Sequence, residues 1–290
     1  MVTAMMKSRW LQRLFSRRGR IAAGILALAC APALGQGGAA AAGQAASVAG
    51  GAAGDGELVL AMPYVVPPFV GGSKVRTPET PDTALAEELA QALNARLRAV
   101  HAVPAGARAA APAPTAEIAL AYLAPGQAAP PAHVAVPTGY VARPMAIMRS
   151  DTDIKTWEQL RGRSVCLSEG GLYAGMAATR YAAIEKIYKA PADSLIALRT
   201  GECDAAVHDE IMLKELLKLP EWKKFSATLP PGREASSAFL VPRDDPHTLA
   251  AVKRLAAQWK SARHLAALNK ERVRDIAFEV YLDQVVTDCH

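Results

Sequence analysis

The chain has 290 residues, 33 Lys plus Arg against 27 Asp plus Glu, 51% apolar residues, 6% aromatic residues and four Cys. This composition excludes a disulfide mini-protein, a collagen and a fully disordered chain. The net charge of +6 does not signal a nucleic-acid binder, because Lys7, Arg9, Arg13, Arg17, Arg18 and Arg20 all precede the first acidic residue, Asp55, and without them the balance is 27 against 27. A phosphate-binding footprint is an excess that survives within the folded domain.

Residues 1–35 carry that basic stretch, then the apolar run Ile21 to Leu28 with Ala29, then small residues through Ala33-Leu34-Gly35. This is the three-part layout of a secretory signal peptide. The run is far short of the ~20 residues of a spanning helix, so export is expected rather than a transmembrane anchor. Cys30 follows Ala27-Leu28-Ala29, a loose lipoprotein box, while Ala31-Pro32-Ala33 or Ala33-Leu34-Gly35 suits ordinary cleavage. Cleavage without a lipid anchor at Cys30 is the favoured reading. Residues 36–56 are almost entirely Ala, Gly, Gln and Ser, which cannot bury a core and read as a flexible linker.

The remainder alternates. Residues 58–61 read as a buried strand stopped by Pro63, Pro67 and Pro68. Asp82 is placed as an N-cap, and Leu85, Leu89, Leu93 and Leu97 recur at helical spacing, so a helix is expected over 83–98. A loop at 102–116 leads to a strand at 118–123, and 134–136 and 145–148 are extended. A short helix at 156–160 precedes a strand at 164–167, which runs through Ser168-Glu169-Gly170-Gly171 into a helix from about 173 to 186. Asp193 or Ser194 caps a helix to Thr200, which Gly201 ends. A strand at 203–207, a helix at 210–219, a strand at 238–241 and helices at 246–261 and 263–275 complete the pattern. Alternation of this kind predicts an α/β fold with largely parallel sheets.

Several stretches together resemble a known family. They are Pro67-Pro68-Phe69 after the first strand, the helix pattern Asp82-x-x-Leu85-Ala86-x-x-Leu89, the run Trp157-Glu158-Gln159-Leu160-Arg161-Gly162-Arg163-Ser164-Val165, and Ala197-Leu198-Arg199-Thr200-Gly201-Glu202-Cys203-Asp204-Ala205-Ala206-Val207-His208-Asp209-Glu210. Over roughly residues 57–275 the chain is similar to the periplasmic solute-binding proteins of polar amino-acid uptake systems (solute-binding protein family 3). The resemblance implies a two-lobe periplasmic-binding-protein type II fold with a two-strand hinge. Lobe one would be 57–142 plus 242–290, and lobe two 143–241. It also implies a periplasmic, monomeric protein that delivers a small solute to an ABC permease of the inner membrane, with no cofactor and no nucleic-acid partner.

A site of that kind needs helix-terminal N–H donors for an anion and a carboxylate for an ammonium. Ser168, Gly170 and Gly171 stand at the carboxyl end of a strand before a helix, where they either meet an anion or only tighten the turn. Asp209 matches the family's ammonium-binding acid and also suits an N-cap for the helix at 210–219. The chain departs from the family in the stretch Ala121-Tyr122-Leu123-Ala124-Pro125-Gly126-Gln127-Ala128-Ala129, which lacks the carboxylate-binding Arg. Losing it removes charge-assisted bonds of ~1.5–3 kcal/mol each. Arg143, at the expected lobe crossing, is the candidate replacement, against an ordinary solvated Arg. Tyr64, Phe69 and Tyr122 would line a less polar pocket, with core packing the alternative for Phe69.

Enzyme signatures are thin. The chain has no Gly-x-Ser-x-Gly, no His-Glu-x-x-His and no phosphate loop. His208-Asp209-Glu210 with Cys166 or Cys203 fits no zinc spacing. Beyond Cys30, three cysteines allow one disulfide: Cys203 with Cys289, Cys166 with Cys203, or Cys166 with Cys289. Cys203 with Cys289 is slightly favoured, because neighbouring parallel strands often misdirect the Cβ atoms of Cys166 and Cys203, and it would pin the apolar tail at 278–282.

Three functions follow in order of preference. The first is capture of an amino-acid-like solute or organic acid between the lobes. The second is a degenerate binding-protein fold reused as an accessory module, for example for a periplasmic oxidoreductase or a sensor. The third is a cyclohexadienyl-dehydratase-like enzyme using Asp209 or Glu169. A cleft with Asp209 and Arg143 pointing in favours the first; one filled by Tyr122 and Leu172 favours the second.

Overall fold

The structure, a computed structural model, describes residues 56–72, 74–102, 116, 118–261 and 263–284. The stretch expected to be a signal peptide, Cys30, residues 36–55 of the expected linker and Cys289 lie outside them, while Gly56, placed in that linker, opens the first strand. Two five-stranded sheets organise the chain. The first contains β1 (Gly56–Met62), β2 (Ala95–His101), β3 (Ile118–Leu123), β4 (His133–Ala142) and β10 (Ala235–Pro242), in the order β2-β1-β3-β10-β4. The second contains β5 (Pro144–Met148), β6 (Ser164–Ser168), β7 (Ile184–Tyr188), β8 (Ala205–Asp209) and β9 (Ala227–Leu229), in the order β7-β6-β8-β5-β9.

In each sheet four strands share a direction and the fourth in the row runs against them: β10 in the first, β5 in the second. These two are the strands the chain enters on crossing between sheets, once between Ala142 and Pro144 and once between Leu229 and Ala235. The expected boundary after 241 therefore falls too late. Ser236 to Leu240 pair with β3, so residues 235–242 belong with β1 rather than with β6.

Helices cover the sheets: α1 (Asp82–Ala92) and α5 (Pro246–Ser261) on the first, α2 (Met176–Tyr181), α3 (Pro191–Thr200) and α4 (Glu210–Leu216) on the second. Leu58, Leu60 and Met62 alternate along β1 and pack against Leu85, Leu89, Val252 and Trp259. In the second sheet Met145 and Ile147 face α3 and α4, whereas Ala146 and Met148 face Trp157, Leu160 and Tyr173. A strand buried on both faces alternates between two cores, which is why residues 144–148 read as a continuous apolar run.

Three elements differ from the sequence reading. The first helix ends at Ala92, Asn94 adopts φ 53°, and 95–101 forms β2 beside β1. Ala95, Leu97 and Ala99 reach the core at a spacing of two, so Leu97 prolongs the leucine spacing of the helix without belonging to it. The helix placed over 173–186 is only α2; Ala182 turns the chain at φ 53°, and Ile184–Tyr188 forms an edge strand parallel to β6. The last helix, α6 (His264–Asp283), runs beyond 275. Its Val273, Ile276 and Val280 pack with Leu195, Leu198 and Leu213, so its C-terminal half lies against the second sheet's layer rather than in lobe one.

Candidate functional site

The parallel strands of both sheets end at one place: β3 at Leu123, β6 at Ser168, β8 at Asp209, with β1 leading into the segment before α1. In open α/β sheets ligands bind outside the carboxyl ends of the strands. Here that region holds ionisable side chains that the tertiary fold buries.

Glu79, on the segment before α1, is 5% exposed. Its carboxylate accepts a hydrogen bond from the Ser168 hydroxyl and one of 3.0 Å from the Asp209 N–H, and lies 3.2 Å from His208 Nδ1. Burial works against its charge, but His208, Ser168 and the Asp209 N–H outweigh it and hold Glu79 below the usual carboxylate range. Ser194 Oγ lies 2.9 Å from the other ring nitrogen of His208. The order Ser194, His208, Glu79 is that of a hydrolase relay. Ser194 and His208 have no exposed surface, so no substrate carbonyl reaches the hydroxyl.

Asp82 is buried and accepts from the Tyr122 hydroxyl at 2.8 Å. Burial raises its pKa to about 6, opposed by the hydrogen bond from Tyr122 and the nearby charge of Arg272. Asp82 therefore does not cap its helix, which has no side-chain cap; its side chain serves the cleft. Tyr122 and Tyr140 meet edge to face at 6.5 Å, and burial pushes both hydroxyls up. Asp209 accepts from the Tyr173 hydroxyl at 2.9 Å, the Arg143 N–H at 3.2 Å and the Ile211 N–H at 2.9 Å. Burial raises its pKa, the Tyr173 bond lowers it and Glu79 raises it again. Arg272 of α6 is 7% exposed, donates to Asn269 and lies beside the Tyr140 hydroxyl and the Asp82 carboxylate.

The proposed site residues are thus divided among the cleft, its rim and positions outside both. Tyr122, Ser168, Gly171 and Asp209 are in the cleft, and Asp209 both caps α4 and carries a buried carboxylate there. A Cβ on Gly171 would lie 2.6 Å from Glu79 Oε2, so this glycine makes room for the carboxylate as well as tightening the turn. Gly170 and Tyr64 form the rim, one against the other. Phe69, 69% exposed, is neither core nor pocket lining. Arg143 does not replace the missing cation: its guanidinium pairs with Glu210 and Glu234 at the crossing, and only its N–H meets Asp209. Leu172 packs with the core on the Trp157 side of the second sheet.

Cys203 is bonded to Cys166, with Cα atoms 5.8 Å apart. This excludes the favoured bond from Cys203 to Cys289. The sulfur positions meet because Cys203 precedes β8, where its side chain is not bound by strand alternation, and the Cα spacing suits a disulfide.

Sequence reasoning missed Glu79, Tyr140, Tyr173, His208 as a carboxylate neighbour, and Arg272. His208 adjoins Asp209 and Tyr173 follows Gly171 by two residues, which offered a signal; Glu79, Tyr140 and Arg272 come from other segments of the chain. An opening bounded by Tyr64, Arg76, Glu79, Glu169, Gly170 and Pro191 encloses about 10 Å³, room for one water. Among the described residues no group of three or more His, Cys, Asp or Glu side chains is arranged to hold a metal ion, and no helix is long and apolar enough to cross a membrane.

No family model matches the sequence, and no curated protein matches it. Solved structures do. An amino-acid ABC transporter substrate-binding protein from Streptococcus pneumoniae, bound to L-arginine, is 18% identical over 76% of this chain and 96% of its own, with a TM-score of 0.51. The substrate-binding protein of another amino-acid ABC transporter is 21% identical over 76% of this chain and all of its own, with a TM-score of 0.49. An ancestral amino-acid-binding protein, a precursor of cyclohexadienyl dehydratase, is 17% identical over 75% of this chain and 96% of its own, with a TM-score of 0.48. Two sheets with one reversed strand each, crossed twice by the chain, together with the first of these likenesses, give this protein the periplasmic-binding-protein type II fold.

Proposed function

We propose that this protein is an exported periplasmic binding protein that closes two lobes on a small organic solute, amino-acid-like or an organic acid, and hands it to an ABC permease in the inner membrane. The observation that supports it is Glu79. A carboxylate already sits where the strands of both sheets end, held by a hydroxyl of one strand end and the N–H of another. Asp82 and Asp209 beside it suit an ammonium, and Arg272 brings from α6 the guanidinium absent after β3. An amino-acid-like solute carries both complementary groups. Binding would proceed by hinge closure, the solute favouring the form in which both lobes touch it.

The test is a thermal-shift screen of the protein against amino acids, dicarboxylates, amines and aromatic acids at millimolar concentration. A ligand at a hundredfold excess over Kd adds about 2.7 kcal/mol of stability, a readily measured rise in Tm. A hit confined to carboxylate-bearing solutes establishes the reading. The filled cleft favours a second reading, an accessory module whose partner is a periplasmic protein; silence across the panel transfers the proposal to it.

A further inference from the structure

The segment before α1 begins and ends on the first sheet's layer, yet its hydrogen bonds and ion pairs run to the second. Lys74 Nζ lies 2.7 Å from Asp283, and Arg76 pairs with Asp193 of α3 and, at 2.6 Å, with Asp283 of α6. Thr77 donates its N–H and its hydroxyl to Glu279 at 2.9 and 2.6 Å. Glu79 then reaches Ser168, His208 and Asp209 at the ends of β6 and β8. Arg76 and Glu279 are largely shielded, so their contacts are better protected from solvent screening than surface bridges, whereas Lys74 is exposed.

We infer that residues 74–80 form a strap that fills the cleft with a substitute for ligand: Ser168 Oγ and the Asp209 N–H constitute a carboxylate-binding site, and Glu79 is its intramolecular occupant. The strap ties the two lobes together in the absence of solute, and a small carboxylate gains the site only when Glu79 leaves it. The local sequence fits this role. Gly171 leaves space that a Cβ would fill beside Glu79 Oε2, and Gly170 admits Tyr64, which lines the same opening as residues 76–80. A carboxylate taken out of water requires its donors to be in place. Both donors are fixed, one by the end of β6 and one by the turn into α4, and His208 of β8 lies 3.2 Å from the same carboxylate. The inference rests on the same site as the proposed function, but its test needs no natural solute.

The experiment replaces Glu79 by Ala, which removes a fragment with the atoms of acetate. Thermal unfolding of E79A and of the parent is followed in sodium acetate, with sodium chloride and the neutral isostere acetamide as controls. The expected result is a lower Tm for E79A that acetate raises by roughly 3 °C or more at tenfold excess over its Kd, while the parent and the controls do not respond. Equal responses of parent and variant, or none in E79A, overturn the inference.

Should E79A fail to fold, Arg76→Ser loosens the strap and keeps Glu79. Hydrogen exchange by mass spectrometry should then quicken over residues 74–81 with β1 and β6 unchanged; unaltered exchange over 74–81 overturns the inference. The solute screen on the intact protein can fail while acetate still rescues E79A, so the two readings fail separately.

Discussion

The ring of Tyr64 occupies the position from which a side chain at residue 170 would have to start: a Cβ built on Gly170 falls onto the ring's Cγ, Cδ2 and Cε2. Gly170 also holds φ at +71°. The glycine after β6 therefore has two separate reasons to lack a side chain, one from its own backbone and one from the lobe opposite.

Gly170→Ala should lower stability by about 2 kcal/mol or more, the left-handed backbone accounting for roughly 1 kcal/mol and the collision with Tyr64 for the rest. Chemical denaturation of G170A, Y64A and the double variant forms a thermodynamic cycle. The expected outcome is a double variant less destabilised than the sum of the singles. Strict additivity would mean that the rim is not closed in solution.

Asp82 sets a pH dependence. Its carboxyl ionises at about 6 in the folded protein, above the ordinary value of 3.8. The folded state therefore binds its proton more readily than the unfolded state. The resulting stability is fully present below pH ~3.8 and is lost as pH rises through ~6. Asp82→Asn keeps an acceptor for Tyr122 and removes the buried charge. It should be more stable than the parent by roughly 2–3 kcal/mol above pH 7, with the difference vanishing by pH 4. Urea denaturation of both proteins across that range is the measurement. A difference that does not change with pH would remove Asp82 as its source.

Tyr173 supplies a buried donor to Asp209, at 2.9 Å. Tyr173→Phe leaves that carboxylate one partner short and should cost about 1–3 kcal/mol. Because burial raises the pKa of Asp209, the cost should be least in acid, where its proton is retained, and grow as pH passes the ordinary carboxylate range. Thermal unfolding of Y173F at acid and at alkaline pH would show a flat penalty if the hydroxyl does not serve Asp209.

The bond between Cys166 and Cys203 closes a loop with a sequence separation of 37. A loop of that length corresponds to about 3–4 kcal/mol through the entropy of the unfolded chain. Cys166→Ala with Cys203→Ala, or reduction of the parent, should lower the unfolding midpoint accordingly. Thiol titration of the denatured, unreduced protein should find neither cysteine free; labelling of Cys203 there would contradict the pairing.

Elements whose signal is local were legible in the sequence. The apolar run of β1, the leucine spacing of α1, the glycine after α3 at Gly201 and the apolar runs of β6 and β8 each arise from neighbours a few residues apart, and their types follow from short buried runs and from the helical period of 3.6. Where two periods shared a residue the reading failed. Leu97 suits a helix by its distance from Leu93, and only pairing of residues 95–101 with β1 shows that they form a strand.

The sequence by itself determined the alternating α/β class, the position of Asp209 at a strand end and the glycine turn after β6, because each depends on backbone preferences within its own βα unit. The tertiary structure alone decided what fills the cleft. Glu79 with Asp82, Tyr122, Asp209 and Arg272 come from four separate segments, and whether such groups pair or protonate depends on burial and on distances that no local pattern encodes.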